Sequence, residues 1–161
     1  MQVVQKQSDS GEFPPSVHVY CRSAALCAGF AIDRWNRPTV VLEFARKGEG
    51  RSFDWNNKIA FQLSQGELAE LAAYLRHPWA SHKWVHRPNG VVKGLEVSNQ
   101  SPNILFELST ASARWRVPVI PRDQYYVRNL LLSRLFEIQS TMPTTAHYDS
   151  LAQLAEALKR K

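Results

Sequence analysis

Apolar and polar positions alternate along much of the chain, and twice the alternation gives way to a helical period. Val17-His-Val-Tyr-Cys begins an extended segment that continues through Ala24 to Ile32. A polar turn over 33–38 leads to a second strand, Thr39–Phe44, and the glycines of Arg46-Lys-Gly-Glu-Gly-Arg51 supply the next turn. Ser52–Trp55 reads as a short third strand. The fourth has the clearest period of two, with Ile59, Phe61 and Leu63 set against Lys58, Ala60 and Gln62. Ser64-Gln-Gly-Glu67 then has the form of a capping box, and Leu68, Leu71, Ala72 and Leu75 follow at helical spacing. His77-Pro78 ends that helix.

The plan repeats. His82–Arg87, Val91–Val97, Ile104–Leu108 and Ala113–Ile120 are four further strands, separated by turns at Pro88-Asn-Gly90 and Asn99-Gln-Ser-Pro102. A second helix opens at Pro121, where proline costs no hydrogen bond, and Val127, Leu130, Leu131, Arg134, Leu135 and Ile138 form its mostly apolar face. A linker over 140–145 leads to a last helix, about Tyr148–Arg160, with Leu151, Leu154, Ala155 and Leu158 on one stripe. Strands in blocks, each block followed by a helix, predict an α+β fold of two four-stranded antiparallel sheets with a short C-terminal helix. The expected organisation is a flexible arm over 1–15, one folded domain over 16–139, and a linker with its helix over 140–161.

Charge narrows the function. Twenty Lys and Arg against fourteen Asp and Glu give a net charge of +6, which favours polyanionic partners. No apolar run reaches the ~20 residues that span a bilayer, and the N-terminus shows no targeting segment. Two cysteines, Cys21 and Cys27, read as reduced thiols of a cytoplasmic protein. Catalytic signatures are missing: there is no phosphate-binding glycine loop, nucleophile elbow or CxxC. His82 and His86 lie four apart on an extended segment, too far apart to share one ion. The chain therefore reads as a protein without cofactor, metal or catalytic residues.

The solvent faces of the strands offer another chemistry. Arg114 and Arg116 share one face of the last strand, Lys83 and Arg87 one parity of the fifth, and Lys58 the polar face of the fourth. His18, Tyr20 and Arg22 share a parity on the first, and the turn after it brings Arg34, Trp35 and Arg37. Cations that follow phosphates, mixed with aromatic planes on which bases stack, are what single-strand binding requires. Trp115, on the apolar parity, reads as core.

The order of several motifs resembles the Whirly family of single-stranded-DNA-binding proteins, whose wider relatives include the kinetoplastid guide-RNA-binding proteins. Tyr20-Cys-Arg-Ser-Ala-Ala-Leu26 is similar to the family's Lys-Gly-Lys-Ala-Ala-Leu segment with its preceding tyrosine, although Cys21 and Ser23 replace both lysines and Arg22 the glycine. Phe53-Asp-Trp-Asn-Asn-Lys-Ile-Ala-Phe-Gln-Leu-Ser64 with Glu67 resembles the block that enters the first helix. Trp84-Val-His-Arg-Pro88 resembles an aromatic-x-His-x-Pro strand end, and Val119-Ile-Pro121 the entry to the second helix.

The resemblance implies roughly perpendicular sheets and a homotetramer held by helices, an assembly with which the leucine-rich second helix agrees. It also implies single-stranded DNA, or RNA, held on sheets and sheet edges with little sequence preference. The expected contacts are Tyr20, Arg22, Ser23, Ala24, Ala25 and Leu26 from the first segment, with Trp35, Arg37, Lys58, Lys83, Trp84, Arg87, Arg114 and Arg116 from the other strands and turns. Two alternatives stay open: an RNA-annealing factor on the same fold, and a protein-interaction scaffold without nucleic-acid binding.

Overall fold

The computed structural model describes residues 14–161 in full and, before them, the backbone of Gln2–Val4, Gln7–Ser8 and Gly11–Glu12. The flexibility expected of the arm therefore falls largely outside the described residues. Along the chain come β1 (Gln2–Val4), β2 (Gln7–Ser8), β3 (Gly11–Glu12), β4 (Ser16–Tyr20), β5 (Ala24–Ile32), β6 (Pro38–Arg46) and β7 (Ile59–Gln62). Helix α1 (Gln65–Arg76) is followed by β8 (Ser81–His86), β9 (Lys93–Gln100), β10 (Asn103–Ser109) and β11 (Arg114–Val119), then α2 (Pro121–Ile138) and α3 (Thr144–Lys159).

Strands β4-β5-β6-β7 form one antiparallel meander, with β1 added beside β4, and β8-β9-β10-β11 form a second. The two-sheet, helix-after-each-sheet plan is as the sequence predicts, but the first sheet reaches its strands by another route. Cys21-Arg22-Ser23 turns a corner, closed by Cys21 N–H donating to the Ala24 carbonyl at 3.0 Å, so the first extended segment is two strands. Ser52–Trp55 is not a ladder strand: Phe53 makes a lone bridge to Lys47, and Trp55–Asn57 coil into a 3-10 turn. The last helix begins at Thr144, four residues ahead of its expected start at Tyr148.

Alternation decides what each sheet buries. Val17 and Val19 of β4, Leu26 and Ala28 of β5, Leu42 and Phe44 of β6, and Phe61 of β7 share a face and are all buried. The inner face of the second sheet is Trp84, Leu95, Val97, Phe106, Leu108, Trp115 and Val117. Both faces and all three helices contribute to one core cluster. Helix α1 is its centre, packed against α2 and α3, and buries Ala73 and Tyr74 as well as the predicted stripe. Ser64 accepts the Glu67 amide at 3.1 Å while Glu67 accepts the Ser64 amide at 2.8 Å, the reciprocal box expected there.

Arg134 on α2 is buried and ties the helix to the first sheet, donating to the carbonyls of Thr39 at 3.0 Å and Ala31 at 2.7 Å. Leu130, Leu131, Leu132 and Leu135 are buried within this same chain. The leucine-rich face of α2 is thus occupied internally, which corrects its reading as a surplus kept for assembly.

Candidate nucleic-acid interface

The outer face of the first sheet is built from small residues roofed by rings. Tyr20 pairs with Ala25 and Ala25 with Ala45, and His18 pairs with Cys27 and Cys27 with Glu43. Over this floor lie four rings in series. Trp55 meets His18 edge-on at 5.6 Å, His18 stacks on Tyr20 at 6.0 Å, and Tyr20 leans on Phe53 at 5.3 Å. Tyr20 remains 43% exposed, and Phe53 and Trp55 are half-buried. The 3-10 turn that displaced the expected third strand is what folds Trp55 back over the sheet. It is held by Asn57 Nδ2 donating to Asp54 Oδ2 at 2.8 Å.

Cations border these rings. Lys47 Nζ stands 4.7 Å from the Phe53 ring centre. Lys58 pairs with Glu43 beside the floor, and Arg22 is exposed at the β4–β5 corner. Burial pushes the Tyr20 hydroxyl above the usual tyrosine range, helped by the nearby Cys27 thiol, so the ring stays neutral at ordinary pH. Burial also holds His18 below its ordinary value, against the opposing pull of Glu43. The Cys27 thiol, buried beneath the rings and close to Glu43, is pushed up to about 11.

The outer face of the second sheet is different. Lys83, Glu96, Glu107 and Arg116 stand in one cross-strand row. Arg116 pairs with Glu107 at 3.0 Å and Arg114 reaches the same carboxylate at 4.0 Å. Gly94 gives Lys83 room to lie flat, since a β-carbon there would stand 2.9 Å from Lys83 Cε. This face is a charge ladder without an aromatic ring. Arg114 and Arg116 are exposed, yet each shares a carboxylate.

A third region joins the sheets at the far end of β5. The turn after β5 is closed by Asp33, whose carboxylate accepts the amides of Trp35 and Arg37 and the Arg37 guanidinium, all at 2.9 Å. Partial desolvation raises that carboxyl, but these donors outweigh it and hold Asp33 below the usual range. Asn36 completes the turn at φ 62, a left-handed conformation asparagine tolerates. Trp35 projects from it 60% exposed, with the guanidinium carbons of Arg34 and Arg37 at 4.0 and 4.7 Å from its ring centre. The turn overhangs a cleft of about 630 Å³, walled on the other side by the β7–α1 junction and by Val85, His86, Arg87 and Pro88. There His86 stacks on Phe61 at 3.9 Å and bonds Glu67 at 2.9 Å.

Of the residues the sequence singles out, Tyr20, Arg22, Ser23, Lys58, Lys83, Arg87, Arg114, Arg116, Trp35 and Arg37 all reach solvent. Four do not. Ala24, Ala25 and Leu26 are at most 3% exposed and Trp84 only 6%. The first three run on as β5 beneath the rings and over the core, and Trp84 alternates inward, so their side chains do not meet a strand lying on the surface. Sequence reasoning passed over Phe53, Trp55 and Lys47 as contacts. Phe53 and Trp55 stand inside the block that resembles the Whirly motif; only the turn that brings them over β4 and β5 makes them part of a surface. His82 and His86 both lie on β8 and reach different carboxylates, Glu70 and Glu67. No three potential ligands gather for a metal among the described residues. No described helix is long and apolar enough to cross a membrane.

The family model described as "Whirly transcription factor" matches residues 30–117, just over half the chain. The protein belongs to the Whirly family. Solved Whirly proteins share its fold. WHY1 from Arabidopsis thaliana superposes with a TM-score of 0.64 at 20% identity, over 77% of this chain and 84% of that one. WHY3 from Arabidopsis thaliana gives 0.62 at 19%, over 77% and 88%. The plant transcriptional regulator PBF-2 gives 0.61 at 21%, over 80% and 96%. No functionally curated protein sequence matches the chain. The Whirly match ends at Val117 and begins at Phe30, so the Tyr20 corner and the helices α2 and α3 lie beyond it.

Proposed function

We propose that this Whirly protein binds single-stranded DNA with little sequence preference, holding it on the outer face of the first sheet. The observation that carries this reading is the ring series Trp55–His18–Tyr20–Phe53 over a floor of small residues, with Lys47, Lys58 and Arg22 at its border. Every base has a π-face, so stacking on such rings tolerates any sequence, and each stacked base contributes ~1–3 kcal/mol. Lys47 and Arg22 neutralise phosphates, and Lys58, already paired with Glu43, contributes less. The second sheet takes a lesser part, because Arg114 and Arg116 are already drawn toward Glu107. No step in this function is catalytic.

Titration of the pure protein against labelled single-stranded DNA, duplex DNA and RNA of one sequence, at two salt concentrations, tests the proposal. Single-stranded DNA should bind most tightly, and log affinity should fall with log salt at a slope of about −0.7 per phosphate contact. Equal affinity for duplex, or affinity indifferent to salt, would overturn it; RNA binding as tightly as DNA would move the ligand to RNA, since only RNA offers the 2′-hydroxyl.

Assembly as a homotetramer through the helices belongs to the same proposal. With the leucines of α2 consumed internally, the large exposed apolar side chains the helical region keeps for a partner are Ile120 at the start of α2, Tyr125, Tyr126 and Met142. Sedimentation equilibrium reads the assembly directly.

A further inference from the structure

We infer that the cleft under the Asp33–Arg37 turn is a second binding site, taking a nucleoside monophosphate unit with its base against Trp35 and its phosphate between Arg34 and Arg87. Its volume, about 630 Å³, lies within the range of small-molecule sites. Trp35 is exposed because it is held out: Asp33 fixes the turn through three hydrogen bonds, two of them to the backbone amides of Trp35 and Arg37. An indole presented on a rigid turn is a ready stacking plane.

Charge completes the argument. Both acids of the cleft are spent, Asp33 on its own turn and Glu67 on the Ser64 amide and His86. Arg37 is spent too, on Asp33. Among the described residues, Arg34 has only the Trp35 ring as partner, and Arg87 has neither an ion pair nor a side-chain hydrogen bond. Two guanidiniums without a carboxylate partner, Arg34 lying over the exposed Trp35 ring and Arg87 on the wall of the same cleft, suit a base and a phosphate together better than either alone. A phosphomonoester, at about −1.5 to −2 charge near pH 7, matches two guanidiniums better than the single charge of a phosphodiester inside a strand. This site is separate from the ring series. Tyr20 pairs with Ala25, and the turn begins beyond Ile32, seven residues on and roughly 23 Å along the strand.

Such a unit has two sources, the phosphorylated end of a DNA strand or a free nucleotide. The strand-end form rests on the single-strand proposal above; the free-nucleotide form does not. Calorimetric titration with dAMP, deoxyadenosine and inorganic phosphate tests the chemistry. Competition between 5′-phosphorylated and 5′-hydroxyl oligonucleotides of one sequence separates the sources. The expected result is dAMP binding at least tenfold tighter than deoxyadenosine or phosphate, weakened on the order of 10-fold by Trp35→Ala and by Arg34→Ala with Arg87→Ala. Trp35→Phe should restore part of the loss, and Tyr20→Ala should leave dAMP binding alone. A strand end is indicated if the 5′-phosphate improves oligonucleotide binding and the gain disappears without Arg34 and Arg87; equal oligonucleotides with dAMP still bound indicate the free nucleotide. If neither dAMP nor the 5′-phosphate has any effect while Tyr20→Ala still weakens oligonucleotides, the cleft inference is overturned and single-strand binding stands. If oligonucleotides and dAMP all fail to bind, both fall. Because Trp35, Arg34 and Arg87 are exposed, variants at these positions should melt within a few degrees of the parent, so these outcomes are not confused with unfolding.

Discussion

Replacing Tyr20 with alanine separates the ring series as a binding surface from the same rings as packing. The side chain is 43% exposed and touches His18 and Phe53 through ring contacts at 6.0 and 5.3 Å. Losing one aromatic pair costs about 0.5–1.5 kcal/mol, so losing both costs about 1–3 kcal/mol, and in a chain of this size each kcal/mol moves the melting temperature by roughly 2–4 °C. The variant should therefore melt no more than about 12 °C below the parent. Binding should weaken as well. One lost stacking plane is worth ~1–3 kcal/mol, a weakening of about 5- to 150-fold. No charge is removed, so the salt slope should not move. Fluorescence anisotropy of a labelled oligothymidine at four salt concentrations gives affinity and slope together. Lys47→Ala is the complement, and should make the slope shallower by about 0.7 with a smaller loss at high salt. A Tyr20→Ala protein that melts normally and binds within twofold of the parent would refute the stacking argument. So would a loss of affinity that appears only as a changed slope.

Trp84→Ala should behave unlike Tyr20→Ala, costing about 3–5 kcal/mol of stability in urea unfolding because the indole is buried in the core. Arg134→Ala strands the carbonyls of Thr39 and Ala31 and should cost about 2–4 kcal/mol by the same measurement. Brief alkylation at pH 8 followed by mass spectrometry should label Cys21, which is partly exposed, and spare Cys27, whose buried thiol is pushed up to about 11. His18 is held below its ordinary 6.5 by burial. The unfolded chain therefore takes up that proton first, and stability should fall as pH drops below about 6.5; a His18→Gln melting profile in which that fall is undiminished would contradict the assignment.

By itself the sequence determined the number, type and order of the elements of the second sheet, because its apolar runs are punctuated by Asn-Gly and Ser-Pro turns, although β9 begins two residues and ends three residues later than the expected Val91–Val97. It also determined the capped helix α1, whose Ser64–Glu67 box is a local interaction that no tertiary contact can disguise. Family membership was legible for the same reason, since the Phe53 block carries its pattern in consecutive residues. Tertiary structure alone decided the first sheet's strand division. Nothing local distinguishes a corner at Cys21-Arg22-Ser23 from continued extension; the corner exists because β4 and β5 pair back on each other. Burial was decided in the same way. Ala24, Ala25 and Leu26 sit beside Arg22 in sequence, but β5 is buried on both faces, by the core beneath and the rings above. The leucines of α2 face this chain's own sheets and helices. The ring series itself, drawn from β4 and from a turn more than thirty residues later, has no period to betray it. Residues distant in sequence become one surface only when hydrogen-bonded strands bring them into register, and it is that register that turns a basic chain with scattered aromatics into a candidate platform for a single strand.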